Sequence, residues 1–229
     1  MRARLTLSSI LLSLILFSVM PVADCPALTT GEVVRGIEER YGCVWSLKAD
    51  FVQETTTRML GQTRVTKARG RVYLQRPGLM RVEYTTPPKN VWVSDGKTLW
   101  FYQPRDKQVN VGRVDLERGG FFLGFLMGES DLAEDFEIHG WDREVETWHG
   151  AYRIELVPRK PQAMMDRLVL LVDRKTGYVD QAEVYDAYGN LTRTLLKRVR
   201  VNRKLPADLF TFVVPPGIEV IEGFPGSQD

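Results

Sequence analysis

Hydrophobic positions recur along this chain at three spacings, and each spacing predicts a different element. Val34, Ile37 and Tyr41 follow a helical period, which predicts an amphipathic helix over residues 28–41. Glu38, Glu39 and Arg40 fall on its water side, and Thr29 with Glu32 fits a capping box at its start. From residue 45 the period drops to two. Leu47, Ala49 and Phe51 alternate with polar residues, so residues 45–54 read as a strand. Residues 55–67 carry few apolar side chains and read as a polar connection, a strand pair with a mobile tip.

Residues 70–104 read as four short strands separated by turn signals. Arg76-Pro77-Gly78 breaks the first from the second, with proline pre-setting one dihedral and glycine free to take a positive one. Pro87-Pro88 separates the second from the third. Asp95-Gly96 is the pair favoured in a two-residue type I′ hairpin. With that loop, Trp92 is expected opposite Leu99, and Val91 opposite Trp100. One face then carries Val91, Val93, Thr98, Trp100 and Tyr102, and the other carries Trp92, Leu99 and Phe101. Both faces are apolar, whereas an antiparallel sheet with one wet face alternates. Either something covers both sides, or one face lines a cavity.

The third pattern is unbroken apolarity. Residues 119–128, GGFFLGFLMG, place Phe121 one helical turn from Phe125, and Phe122 one turn from Leu126. A helix apolar all round is buried on all sides or in a membrane. This one falls far short of the roughly 20 residues of a span. Its flanking glycines and Gly124 make it marginal and movable. The acidic residues 129–137 predict a short solvent-exposed helix. Strand patterns occupy 107–111, 136–141, 152–158, 168–173, 179–185 and 191–201, with turn signals at 147–150, 174–177 and 186–190. Residues 208–222 read as a short strand, a Pro215-Pro216-Gly217 break and a tail. From residue 136 on, no helix separates consecutive strands, so the chain is expected to be mainly β, an antiparallel meander of about ten or more strands.

The 229 residues suit one domain, with ordinary hydrophobic (44%) and charged (26%) content. Arg2 and Arg4 precede an apolar run over 5–19, the pattern of a secretory signal peptide. The signal is expected to occupy residues 1–23, with cleavage as late as 27, and residues 24–229 to form the single domain. Cys25 is also a candidate lipid-attachment site, although Asp24 stands where a small neutral residue is wanted. Removing Arg2 and Arg4 from the 31 basic residues leaves as many as the 29 acidic ones. That neutrality carries neither the basic footprint of a nucleic-acid binder nor a polybasic membrane anchor. Two cysteines in an exported chain suggest a disulfide. The predicted helix between Cys25 and Cys43 is roughly 17 Å long, while a bridge needs alpha carbons within about 7 Å, so the pairing stays open.

Catalytic motifs are missing. Gly96-Lys97-Thr98 imitates the end of a phosphate loop, but position 91 is valine where that loop needs glycine. His139 and His149 have no partners at ligand spacing. Residues 128–132 lack the last glycine of a nucleophile elbow. The acids of 129–137 read as a solvated face. The chain is therefore expected not to be an enzyme and to hold no metal or cofactor. Two readings of 119–128 remain: a plug in a closed barrel, or a lid over a hydrophobic cavity that takes a lipid.

The segments RPGLMRVEY (76–84), VSDGKTLWFYQP (93–104), GGFFLGFLM (119–127) and FTFVVPPGIEV (210–220), in that order, resemble the bacterial outer-membrane lipoprotein carrier family, LolA. The resemblance covers nearly all of the mature chain. It implies an unclosed antiparallel β-barrel, with an N-terminal helix and a short helical lid over a hydrophobic cavity. It also implies a monomeric periplasmic chaperone for lipoprotein acyl chains. The implied partners are acylated lipoproteins, the inner-membrane ABC transporter LolCDE, and the outer-membrane receptor LolB or an equivalent. Arg76 matches the family's cavity arginine, expected to hydrogen-bond lid backbone in the closed state. Phe121, Phe122, Phe125 and Leu126 would form the lid. Met80, Val82 and Tyr84, which share a face, and Trp92 would line the cavity. The acidic run after the lid and the two cysteines do not map onto the family pattern. Lipidation at Cys25 would make the chain an anchored receptor of the same fold, and a periplasmic lipid-binding or sensing protein is a further alternative.

Overall fold

A computed structural model describes residues 29–59, 61–113, 125–126, 132–142, 150–161 and 165–224. Helix α1 (Thr30–Gly42) starts at the predicted capping box. Thr29 Oγ1 accepts the Glu32 N–H at 3.3 Å, and Glu32 Oε2 accepts the Thr29 N–H at 2.7 Å. The Thr29 N–H, and after it the Thr29 hydroxyl donating to the same oxygen at 2.8 Å, hold the Glu32 carboxyl below its ordinary range. Val33, Val34, Ile37 and Tyr41 form the buried stripe.

The strands follow. They are β1 (Ser46–Met59), β2 (Gln62–Gln75), β3 (Leu79–Tyr84), β4 (Val91–Asp95), β5 (Thr98–Gln103) and β6 (Gln108–Arg113). A short helix α2 (Leu132–Asp135) leads into β7 (Phe136–Asp142), β8 (Ala151–Pro158), β9 (Arg167–Asp173), β10 (Val179–Tyr185) and β11 (Leu191–Val201). A 3-10 turn (Ala207–Phe210) precedes β12 (Glu219–Glu222). The strands form one sheet in the order β12-β6-β5-β4-β3-β2-β1-β11-β10-β9-β8-β7. Two meanders are therefore joined where β1 pairs with β11. The sheet does not close, and β12 and β7 are its edges. Register breaks in the β1–β11, β9–β10 and β7–β8 ladders bend and twist it.

The inner face is the one α1 covers. Leu47, Val72, Leu74, Met80, Val82 and Leu99 from one half join Ile154, Leu156, Leu168 and Leu170 from the other in a single core with the α1 stripe. On the outer face Val93, Val109 and Phe210 are buried. The C-terminal segment crosses it, with the Phe212 ring 6.2 Å from Trp100 and 5.6 Å from Tyr102. Both apolar faces of the central hairpin therefore have cover: Phe224 lies beyond Trp92 on the inner face, and the returning chain crosses the outer one.

Three local expectations are corrected. The Asp95-Gly96 loop spans four residues, because Asp95 Oδ1 accepts the N–H groups of both Lys97 and Thr98 at 2.9 and 2.7 Å. Trp92 consequently pairs with Phe101, and Val91 with Tyr102. This slip of two residues leaves every side chain on its expected face. The polar stretch after residue 54 is a strand pair as expected, regular on both sides of its tip. The terminal strand lies after the Pro-Pro-Gly break and pairs parallel with β6, Glu219 opposite Gln108. Finally, α2 is acidic and mostly exposed as expected, but its Leu132 is fully buried.

Gly70 shows how tightly β1 and β2 pack. A Cβ there would lie 2.2 Å from the Glu83 carbonyl oxygen and 2.3 Å from Phe51 Cζ, closer than atoms can approach. Phe51, its strand partner, covers the space a side chain would occupy. Gly70→Ala should therefore destabilise the fold by about 1–3 kcal/mol through overpacking, read as a lowered midpoint in denaturant unfolding.

Candidate functional site

The expected cavity residues do share one surface. Met80 and Val82 are buried on the inner face beside Val72 and Leu74. Tyr84, next on that face, meets Phe51 edge to face at 5.2 Å, and its hydroxyl donates to Gln53 Oε1 at 3.2 Å. Burial pushes its phenol up. Trp92 also lies inward, stacked on Phe101 at 3.9 Å with Phe224 beyond at 6.0 Å, while Trp100 faces the outer segment. Phe125 and Leu126 are helical and buried, the Phe125 ring 4.7 Å from Tyr41. Phe121 and Phe122 lie outside the described residues, as does Cys25. Cys43 is exposed, at the C-cap of α1.

Arg76 sits at the β2–β3 turn under the end of α1. Its Nη1 donates to the Gly42 carbonyl at 3.1 Å and its Nη2 to the Tyr41 carbonyl at 2.7 Å. The expected acceptors were backbone groups of 119–128; among the described residues they belong to α1. The reason is general: the last carbonyls of a helix lack intrahelical partners and carry partial negative charge. Arg76 Nε is buried with no partner among the described residues. Leu126 closes over the same place, in a crevice with Val44, Leu47, Leu74 and Arg76 that does not admit a water molecule.

Three features of this region were not read from the sequence. Tyr41, seen there as a helix-face residue, also reaches across the sheet to accept the Val179 N–H at 2.9 Å. Burial pushes its phenol well above the ordinary range. Glu38, placed on the water side, instead accepts the Leu132 and Ala133 N–H groups at 2.9 and 3.2 Å, tying α1 to α2. The two glycine turns of the motif pack against each other. Ser94 Oγ donates to the Gly78 carbonyl at 2.8 Å and accepts the Gly96 N–H at 3.1 Å. A Cβ on Gly78 would come 2.8 Å from Gly96 Cα. The Arg-Pro-Gly and Ser-Asp-Gly segments therefore belong together physically, as one platform that aims Arg76. The shared glycines were the only hint of this in the sequence.

Residues 43–213 match the family model of the outer membrane lipoprotein carrier protein LolA. The chain belongs to this family. Similar proteins include the outer-membrane lipoprotein carrier protein of Methylococcus capsulatus, 34% identical over 77% of this chain and 81% of that one. The protein of the same name from Nitrosomonas europaea is 28% identical over 89% of this chain and 95% of its own. Among solved structures, an uncharacterized conserved protein from Thermus thermophilus has a similar fold, with a TM-score of 0.52 at 15% identity, covering 84% of this chain and 98% of that one. The matched LolA span holds the glycine platform, Arg76 and the inner-face residues, whereas α1 and β12 lie beyond its limits.

Tyr41→Phe should leave the Val179 N–H buried and unpaired, at a cost of about 1–3 kcal/mol, with faster hydrogen exchange at that amide. The pH dependence follows from the raised phenol. The unfolded chain loses this proton near pH 10 while the folded chain keeps it. Stability from this residue is therefore intact below about pH 10 and declines above it. Unfolding midpoints across that range should fall less steeply in the variant.

Proposed function

We propose that this LolA-family protein is a periplasmic carrier that binds the acyl chains of lipoproteins leaving the inner membrane and conveys them to the outer membrane. The observation that carries the reading is an unclosed sheet whose inner apolar face is covered by separate helical pieces rather than by the sheet itself. The names of its relatives, outer-membrane lipoprotein carrier proteins, agree with it. The role is transport, with no chemical step. LolCDE would supply the cargo, and LolB or an equivalent would receive it.

The binding energetics favour exchange. Each methylene removed from water contributes roughly 0.8 kcal/mol, so acyl chains need a carrier. Yet Phe125, Leu126 and Tyr41 already bury themselves on the inner face. A lipid must displace them and break the two Arg76 bonds to α1. Apolar contact is traded for apolar contact, and the net affinity stays low enough for release. In this reading Met80, Val82, Tyr84 and Trp92 line the lipid site. Phe121, Phe122, Phe125 and Leu126 form the lid, and Arg76 latches the closed state through α1.

The test is a release assay. Purified protein is added to spheroplasts, and the soluble fraction is examined by native mass spectrometry. A one-to-one complex with a triacylated lipoprotein is expected; free protein, or protein carrying only a free fatty acid, would sink the reading. Arg76→Leu should still take up lipoprotein but pass it on poorly, because re-forming the latch no longer helps expel the cargo. Transfer at the normal rate would remove Arg76 from the mechanism.

A further inference from the structure

The near balance of basic and acidic residues along the chain hides a local concentration of charge. The β1–β2 hairpin projects beyond β3, whose pairing with β2 stops at Gly70 opposite Tyr84. Its outer part carries Arg58, Arg64, Lys67 and Arg69, all exposed. The neighbouring acid there, Glu54, is taken by Lys67 at 3.0 Å. Arg58, Arg64 and Arg69 have no ion-pair partner among the described residues. The next turns at the same end of the sheet add Lys89, Arg105 and Lys107 against one acid, Asp106.

Large apolar side chains stand out at this same end. Met59 at the hairpin tip is 69% exposed, Val65 on β2 is 50% exposed, and Tyr188 in the β10–β11 turn is 80% exposed. The two tips adjoin. The Arg58 N–H donates to Asn190 Oδ1 at 2.8 Å, and Thr56, the partner of Val65, is also paired with Leu191. Met59 lies three residues along β1 from that row, roughly 10 Å away. Asp186, in the adjoining turn, accepts from Tyr188 and Asn190 and forms no ion pair with these arginines among the described residues.

We propose that this rim is a docking surface for an anionic lipid bilayer. Single apolar side chains on two adjoining tips suit a soft headgroup layer, and tyrosine is at home there with its ring apolar and its hydroxyl wet. Unpaired arginines beside them meet anionic headgroups with the complementary charge. Apolar burial together with basic charge is the combination that holds proteins at membrane surfaces. The hairpin would set the carrier against a leaflet without anchoring it, and this contact is independent of what occupies the inner face.

The experiment is flotation of the purified protein with vesicles of phosphatidylethanolamine and phosphatidylglycerol, compared with vesicles of phosphatidylcholine alone. The wild type should float with the anionic vesicles and lose most of that binding in high salt. Arg58→Glu with Arg64→Glu should cut the bound fraction about tenfold or more. Met59→Ser with Tyr188→Ser should cut it several-fold while leaving the salt dependence in place. All four sites are exposed, so unfolding midpoints should stay near wild type. Binding of a triacylated lipopeptide in the same samples reports the carrier role separately. The proposal is overturned if the wild type stays at the bottom of the gradient. Equal flotation of the charge-reversed variant would also overturn it, pointing to a lipid anchor elsewhere. Binding only to vesicles that contain membrane protein would do the same, since the rim would then meet a protein.

Discussion

An open sheet with an apolar inner face must keep that face from water, and the way α1 meets this need shapes the rest of the molecule. The helix contributes Val33, Val34, Ile37 and Tyr41 to the core, and polar bonds hold it in register. Tyr41 joins it to β10, Glu38 joins it to α2, and its last carbonyls accept from Arg76. These contacts come from three separate places in the sheet and its connections. None belongs to the ladder of strands, so the cover and the sheet are mechanically distinct. A closed barrel would have merged them.

The polar anchors are unequal. Tyr41 satisfies a buried amide, and its phenol has no easier place to go. Arg76 is less settled: two of its donors are met, while its Nε is buried without a partner among the described residues. An unmade bond of this kind costs about 1–3 kcal/mol. The hold of Arg76 on the end of α1 is therefore weaker than the number of its bonds suggests. The glycine platform beneath it is the opposite. Gly78, Gly96 and Ser94 leave little room for adjustment, so Arg76 stands on a tightly packed base.

Charge tells a similar story of place over total. Basic and acidic residues nearly balance along the chain, and cross-strand arginines are consumed by neighbours, as in Arg193 with Glu183 at 2.8 Å and Arg71 with Glu83 at 3.2 Å. Arg193 is held protonated above its ordinary range chiefly by that bond. Where β2 runs on beyond β3, Lys67 still pairs with Glu54 on β1, but Arg58, Arg64 and Arg69 have no ion-pair partner among the described residues.

Local rules made much of this fold legible. Helix α1 with its capping box, the period-two strands and the faces of the central hairpin follow from interactions a few residues apart. The face assignment even survived a wrong loop length, because an even slip keeps side chains on their sides. Alternation put Met80, Val82 and Tyr84 on one face and set Trp92 and Trp100 on opposite ones, and the family motif singled out Arg76. The tertiary structure decided what those residues meet. Arg76 finds acceptors 34 and 35 positions away, and Tyr41 an amide 138 away. Phe212 comes to cover Trp100 only because the chain returns across the sheet. Pairings at such separation depend on how the sheet bends and where its edges stop. A linear pattern of polar and apolar residues encodes which side of an element is buried, but not which distant group will be waiting there.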